Sequence, residues 1–147
     1  MVSVGPLPAP LGLITRRQQI SQATVQGQPV PGAPSALYGS ILAAFKQMTA
    51  SYQARYDNAV LIMTAGVDNA PGDITPAQLI SQLRTMYDPK RKIEIIPLMF
   101  GQAGNFSALQ QIASVTSGQA FDITNPAQIS KVFFSAIARR ICSPNCG

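Results

Sequence analysis

The stretch that decides the fold is Val60-Leu61-Ile62-Met63-Thr64-Ala65-Gly66. It begins as a continuous apolar run and ends in small turn residues. This pattern is typical of a parallel β-strand that is covered on both faces. In open parallel sheets, ligands bind in the crevice beyond the carboxyl ends of the strands. The Thr64-Ala65-Gly66 turn is therefore the first candidate for a functional site.

Amphipathic helices are predicted on both sides of this run, because apolar residues recur there at helical spacing. Ser35 predicts an N-cap for the first of them, and Thr75 followed by Pro76 predicts the start of the second. Asn125-Pro126 opens the last. The predicted helices cover residues 36 to about 56, 76–87, 106–115 and the segment after 125, with a weaker helical pattern over 14–25.

Two further apolar runs predict strands over residues 92–100 and 119–122. Pro97 lies inside the first of these and favours a bulge or a position away from the centre of the sheet, since proline has no N–H to donate. Strands that alternate with helices are typical of right-handed parallel crossovers. We therefore predict an α/β fold, a Rossmann-like and mainly parallel sheet flanked by helices.

Composition excludes several classes of function. The chain has 147 residues, of which 46% are hydrophobic and 12% charged, enough for the core of one domain or a piece of one. It contains no histidine, which removes histidine-dependent triads and metal sites. Its formal net charge is +5, but the cations are scattered apart from Lys90-Arg91-Lys92, which we interpret as a solvated turn. No nucleic-acid partner is expected.

The two cysteines, Cys142 and Cys146, flank a Ser-Pro-Asn turn at the end of the chain. Such a turn would let the sulfur atoms meet in a small disulfide loop, which would indicate an oxidising compartment. The alternative is a pair of free thiols. No apolar run approaches the roughly 20 residues of a membrane span, and no signal peptide is evident because the pair Arg16-Arg17 follows the apolar stretch.

Several segments occur in an order that is typical of one family: Ser35–Tyr38, Asn58–Gly66, Phe100-Gly101, Leu109–Ala113, Thr116–Phe121, Val132-Phe133 and Ala136-Ile137. On these segments, from about Val2 to Ile141, the chain resembles the C-terminal two thirds of a von Willebrand factor A (VWA) domain. The pattern is most similar to actinobacterial envelope proteins in which this domain follows a solute-binding domain. The resemblance implies a truncated VWA-like domain over residues 1–141 and a cysteine-containing tail over 142–147.

The family binds a divalent cation with an Asp-x-Ser-x-Ser loop, a threonine and an aspartate. This chain has no Asp-x-Ser-x-Ser, Ser35 stands at the threonine position, and Ala65 stands at the aspartate position. Mg²⁺ requires near-octahedral oxygen ligands, which a methyl group cannot supply. We therefore expect no metal and no other cofactor. The implied binding face consists of Ser35, Thr64, Ala65, Gly66, Asp68 and Asn69.

The resemblance also implies that the first, central strand of the family is missing. Without it, Val60 to Met63 would form an exposed apolar edge. About five core residues at about 1.5–3 kcal/mol each would be lost with that strand, on the order of 10 kcal/mol, which rivals the stability of a domain. The gap could be filled by Val2-Ser3-Val4, by a second copy, or by a partner segment.

The residues and the resemblance together lead to one leading hypothesis about function and three alternatives. The leading hypothesis is a non-enzymatic, metal-independent protein-interaction module of the VWA class, extracytoplasmic or at the cell envelope, with a protein partner or self-association. One alternative is a truncated or partner-completed fragment of a larger envelope protein. A second is a hydrolase using Asp68 and Asp73, and a third is a nucleotide-binding protein using the glycine loop Gly101–Gly104.

Overall fold

The structure is a computed structural model that describes residues 10–11, 14–26, 32–101, 104–128 and 130–132. The chain divides into two compact units, residues 1–33 and 34–147. In the first, β1 (Pro10–Leu11) pairs antiparallel with β2 (Ile14–Thr15), and α1 (Arg16–Gln26) follows. Thr15 and Gln18 exchange hydrogen bonds of 2.7 and 3.3 Å at the start of α1.

The second unit alternates helices with strands. Its described strands form a parallel sheet in the order β3-β4-β5, with helices between them. The predicted α/β class, a Rossmann-like parallel sheet flanked by helices, is confirmed. The elements are α2 (Leu37–Ala50), β3 (Asn58–Thr64), α3 (Pro76–Met86), β4 (Ile93–Phe100), α4 (Phe106–Val115), β5 (Phe121–Ile123) and a 3₁₀ turn (Pro126–Gln128).

The core lies mainly on one face of this sheet, where α2, α3 and α4 contribute apolar side chains to a single cluster. Val60, Ile95 and Met99 point into that cluster from β3 and β4. The helices contribute the fully buried residues Ile41, Phe45, Leu79, Leu83, Leu109 and Ile112. The opposite face carries a smaller cluster of Ile96, Leu98 and Ile123.

The interpretation of Pro97 is wrong, because β4 is the central described strand and Pro97 is buried at its middle, opposite Ile62. N–H groups alternate in direction along a strand, so the N–H that proline lacks would point the same way as that of Ile95. On that side pairing with β5 begins only at Leu98. The Ile95 N–H is instead satisfied by the Thr116 hydroxyl at 3.0 Å. Pro97 therefore removes no ladder hydrogen bond to β3.

Two predicted helix boundaries are also wrong. The N-cap of α2 is Ala36 rather than Ser35, and it contributes no side-chain hydrogen bond. The helix ends at Ala50 and not near Tyr56. The Asn58 side chain binds the backbone of Gln53 and Tyr56 at 2.6–3.2 Å, and this turn replaces the last helical residues that the pattern predicts.

The Thr75 cap is confirmed as a capping box with Gln78, and α4 has the predicted bounds. The proposed strand at Val2-Ser3-Val4, the Cys142–Cys146 pair and most of the last helix lie outside the described residues. Among the helices that are described, none combines the length and the apolar character needed to cross a membrane.

Candidate functional site

The carboxyl end of β3 leads into a loop over residues 65–74 that packs against the start of α2. Because Ala36 provides no cap, the first N–H groups of α2 need other acceptors. Asp68 accepts the Leu37 N–H at 2.9 Å. Asp73 accepts the N–H groups of Tyr38 and Gly39 at 3.0–3.2 Å. Two carboxyl groups from a distant loop therefore cap this helix, where negative charge is favourable.

A second set of hydrogen bonds joins the same loop to the chain that precedes α2. The Ser35 N–H donates to the Asn69 side-chain oxygen at 2.6 Å. In return the N–H groups of Asn69 and Ala70 donate to the Ser35 carbonyl at 3.0 and 3.1 Å. Ser35, Asp68 and Asn69 are thus brought together, and the two loops are locked to each other.

The two carboxyl groups are hydrogen-bonded to each other and differ in acidity. Burial and the adjacent Asp73 raise the pKa of Asp68 above its ordinary value. Burial acts to raise the pKa of Asp73 as well, but hydrogen bonds from Gly39, Ile74 and Asp68 hold that pKa below its ordinary value. Of the two, Asp68 is therefore the weaker acid and Asp73 the stronger. Both are committed to the helix end.

The Thr64-Ala65-Gly66 turn is held within itself. The Thr64 hydroxyl accepts the Gly66 N–H at 2.8 Å, and Gly66 has a φ of +79°. Ala65 is exposed, whereas Gly66 is buried. A side chain on Gly104 would collide with the Gly66 backbone, so the loops after β3 and β4 touch at these two glycines. The contact gives Gly104 a packing role, while Gln102 and Ala103 of the proposed anion loop lie outside the described residues.

The residues present do not fit the metal site of the VWA family. Ala65 has no ligand atom, the Thr64 hydroxyl binds its own turn, and one oxygen of Asp68 faces the Leu37 N–H. In the described part of the chain, no three His, Cys, Asp or Glu side chains converge as a metal site would require. We therefore derive no chemistry through a bound cation.

Asp73 is the residue of this site whose role the sequence does not reveal. Its place in Pro71-Gly72-Asp73 indicates a turn residue, and its side chain does bond the following Ile74 N–H at 2.8 Å. Its larger role is to cap α2. The one local signal is Gly39, an unusual residue in the first turn of an apolar helix, which leaves room for the Asp73 carboxylate.

Two other features lie away from this site. A groove of about 800 Å³ between α3 and α4 is lined mainly by hydroxyl and amide side chains together with Arg84. In the basic cluster, Arg91 stacks on Tyr52 at 4.9 Å and donates to the Thr49 carbonyl at 3.1 Å. Lys92 forms an ion pair with Glu94 at 3.1 Å. These contacts give two members of the cluster a structural role.

Comparison with known proteins adds little. No protein-family model and no curated protein matches this chain. A solved structure with a similar chain trace is that of an uncharacterized membrane spanning protein from Vibrio fischeri, with 16% sequence identity and a TM-score of 0.45. The match covers 84% of this chain and 66% of the other, just under two thirds of its length. A likeness this distant carries no information about function.

Proposed function

We propose that the chain is a non-enzymatic, metal-independent protein-interaction module of the VWA type. Its binding face is formed by the loops at the carboxyl end of β3. The observation that carries the proposal is that the segment before α2 and the loop after β3 are joined at Ser35 and Asn69 by hydrogen bonds of 2.6–3.1 Å. These are the loops that the family resemblance assigns to the binding face.

A face of this kind suits recognition of a protein surface. Ala65, Val67 and Asn69 are exposed, on a loop whose backbone is fixed by Asp68 and Asp73. A loop that is already ordered loses less conformational entropy on binding. The exposed side chains are small or of moderate size and uncharged, so shape complementarity rather than charge would govern the choice of partner.

The alternative of hydrolysis is less well supported by the acidic pair. Paired-carboxylate catalysis requires the two groups to face a substrate from opposite sides. Here Asp68 and Asp73 bind each other and the backbone N–H groups of Leu37, Tyr38 and Gly39. The chain also has no histidine that could act as a general base.

A location at the cell envelope belongs to the same proposal and rests on the family resemblance and on the Cys142–Cys146 spacing. A specific observation favours the second candidate, a partner-completed fragment of a larger envelope protein. Leu61 and Met63 of β3 are 39% and 59% exposed, which is unusual for a strand of a buried parallel sheet.

Site-specific photocrosslinking tests the proposed face. A photoreactive amino acid replaces exposed Val67 in one variant and exposed Gln110 of α4 in a matched control, and both are irradiated in the source cells. We expect one protein to be captured at Val67 and not at Gln110, and to bind the purified chain equally with Mg²⁺ or EDTA. Equal labelling at both positions, or none at Val67, would contradict the proposal.

A further inference from the structure

The outer edge of β3 is the side of the strand that faces away from β4. In the described sheet β3 has β4 as its neighbour on one side, and no described strand pairs with its other side. Natural sheets protect such edges with charged residues, proline or bulges. The seven residues of β3, Asn58–Thr64, include neither a charge nor a proline. Within the described residues, β3 therefore carries neither the charge nor the proline that commonly protects an edge against pairing with another strand.

An exposed apolar surface accompanies this edge. Side chains alternate along β3, so Val60 is buried in the helical core while Leu61 and Met63 point to the other face. There they are 39% and 59% exposed. Ala59 on the same face packs against the smaller apolar cluster on β4 and β5. The apolar surface thus extends from that cluster outward to the edge.

We propose that β3 pairs with β3 of a second copy of this chain, antiparallel and with the two-fold axis at Leu61. Leu61 then lies opposite its own counterpart, and Ala59 lies opposite Met63 of the other copy. Val60 lies opposite Ile62 in the same way. Each pair joins side chains of the same face, so the two sheets continue into one another with both helical layers on one side.

The second copy is favoured as occupant because the strand is complementary to itself. A small residue meets a large one at Ala59 and Met63, and two β-branched residues meet at Val60 and Ile62, so apolar side chains lie opposite apolar side chains at each of these pairs. Among residues 56–67 the single charge is Asp57, although the whole chain carries +5. The edge therefore offers no charge for a foreign strand to match, and little repulsion between copies at the axis.

The register makes a distance prediction that thiol chemistry can test. Opposed residues have Cβ atoms about 4.5–5.5 Å apart, so two Leu61→Cys chains should be joined by a short thiol cross-linker. The two Met63 positions are separated by four residues along the strands, about 14 Å, so Met63→Cys alone should not react in this way. A mixture of Ala59→Cys and Met63→Cys chains should yield the mixed dimer.

The experiment uses the full chain with Cys142 and Cys146 replaced by serine, and Val25→Cys in α1, which is 75% exposed, as the matched control. Analytical ultracentrifugation of the unaltered chain accompanies it. We expect a concentration-dependent dimer, selective linking at Leu61, and a monomer for Met63→Lys with no such change for Val25→Lys. A monomer at several hundred micromolar, or linking at Met63 as fast as at Leu61, would overturn the proposal. Either result leaves capture at Val67 unaffected, so the two proposals fail separately.

Discussion

Replacing Gly39 by alanine tests whether Asp73 caps α2 as described. In most helices this change stabilises the fold by about 0.5–1 kcal/mol, because glycine loses more backbone entropy on folding. Here the new Cβ would collide with the Asp73 carboxylate, which accepts the Gly39 N–H at 3.0 Å. Alanine at position 39 must therefore displace the cap.

The magnitude follows from a double-mutant cycle with Asp73→Ala. Loss of a side-chain cap costs about 0.5–2 kcal/mol, which Asp73→Ala loses directly and Gly39→Ala loses by collision. The cap can be lost only once, so the coupling free energy between the two changes should equal its full value, about 0.5–2 kcal/mol. Gly39→Ala should thus stabilise the Asp73→Ala variant by about 0.5–1 kcal/mol, whereas in the unaltered chain the lost cap offsets that gain.

Urea unfolding followed by circular dichroism measures the four free energies of unfolding. Ala43, exposed in the same helix, provides the control, since Ala43→Gly should cost the same whether or not Asp73 is present. A coupling free energy below about 0.3 kcal/mol, the range expected for independent sites, would refute the cap.

Three further outcomes are expected. Thr116→Val should destabilise the fold by about 1–3 kcal/mol in urea unfolding, because it leaves the buried Ile95 N–H without an acceptor, whereas Thr116→Ser should cost far less. Gly104→Ala should lower the melting temperature and cost about 1–3 kcal/mol, since the loop after β3 leaves no room for a methyl group, and full stability would contradict that contact. Because the pKa of folded Asp68 is raised, its contribution to stability is full below about pH 3.9 and is lost as pH rises through the raised value. In Asp68→Asn the amide keeps the hydrogen bonds to Leu37 and Asp73 without having to bind a proton, so this variant should be more stable than the unaltered chain at pH 7. The pKa of Asp73 is lowered, so Asp73 contributes to stability at that pH and loses its contribution on acidification. Stability curves from pH 3 to 8 that coincide for Asp68→Asn and the unaltered chain would contradict this assignment.

The fold was accessible from the sequence because its signals are local. The apolar run at Val60–Met63 and the Thr75-Pro76 start of α3 each specify an element within a few residues. The misplaced end of α2 is set by the local Asn58 turn, whereas the places of Pro97 and Ser35 depend on partners far along the chain. Pro97 is tolerated at the centre of β4 because its missing N–H lies on the side where β5 has not yet begun to pair.

The candidate site was predicted only in part for the same reason. Ser35, Asp68 and Asn69 are brought together, in loops that the family pattern places side by side. The cap by Asp73 joins it to Tyr38, 35 positions away, and the propensities of neighbouring residues cannot predict such a bond. A serine just before an apolar helix indicates an N-cap. Here the backbone of Ser35 is hydrogen-bonded to Asn69, and Asp68 and Asp73 accept the first N–H groups of α2 instead.

The central claim is that the loops after β3 bind a protein without a metal ion. It is tested most directly by titrating the protein captured at Val67 against the unaltered chain and a Val67→Glu variant, in Mg²⁺ and in EDTA. We expect the same Kd in both buffers and binding at least about tenfold weaker for the variant, a loss of about 1.4 kcal/mol. A Kd that depends on Mg²⁺, or one that is unchanged by Val67→Glu, would contradict it.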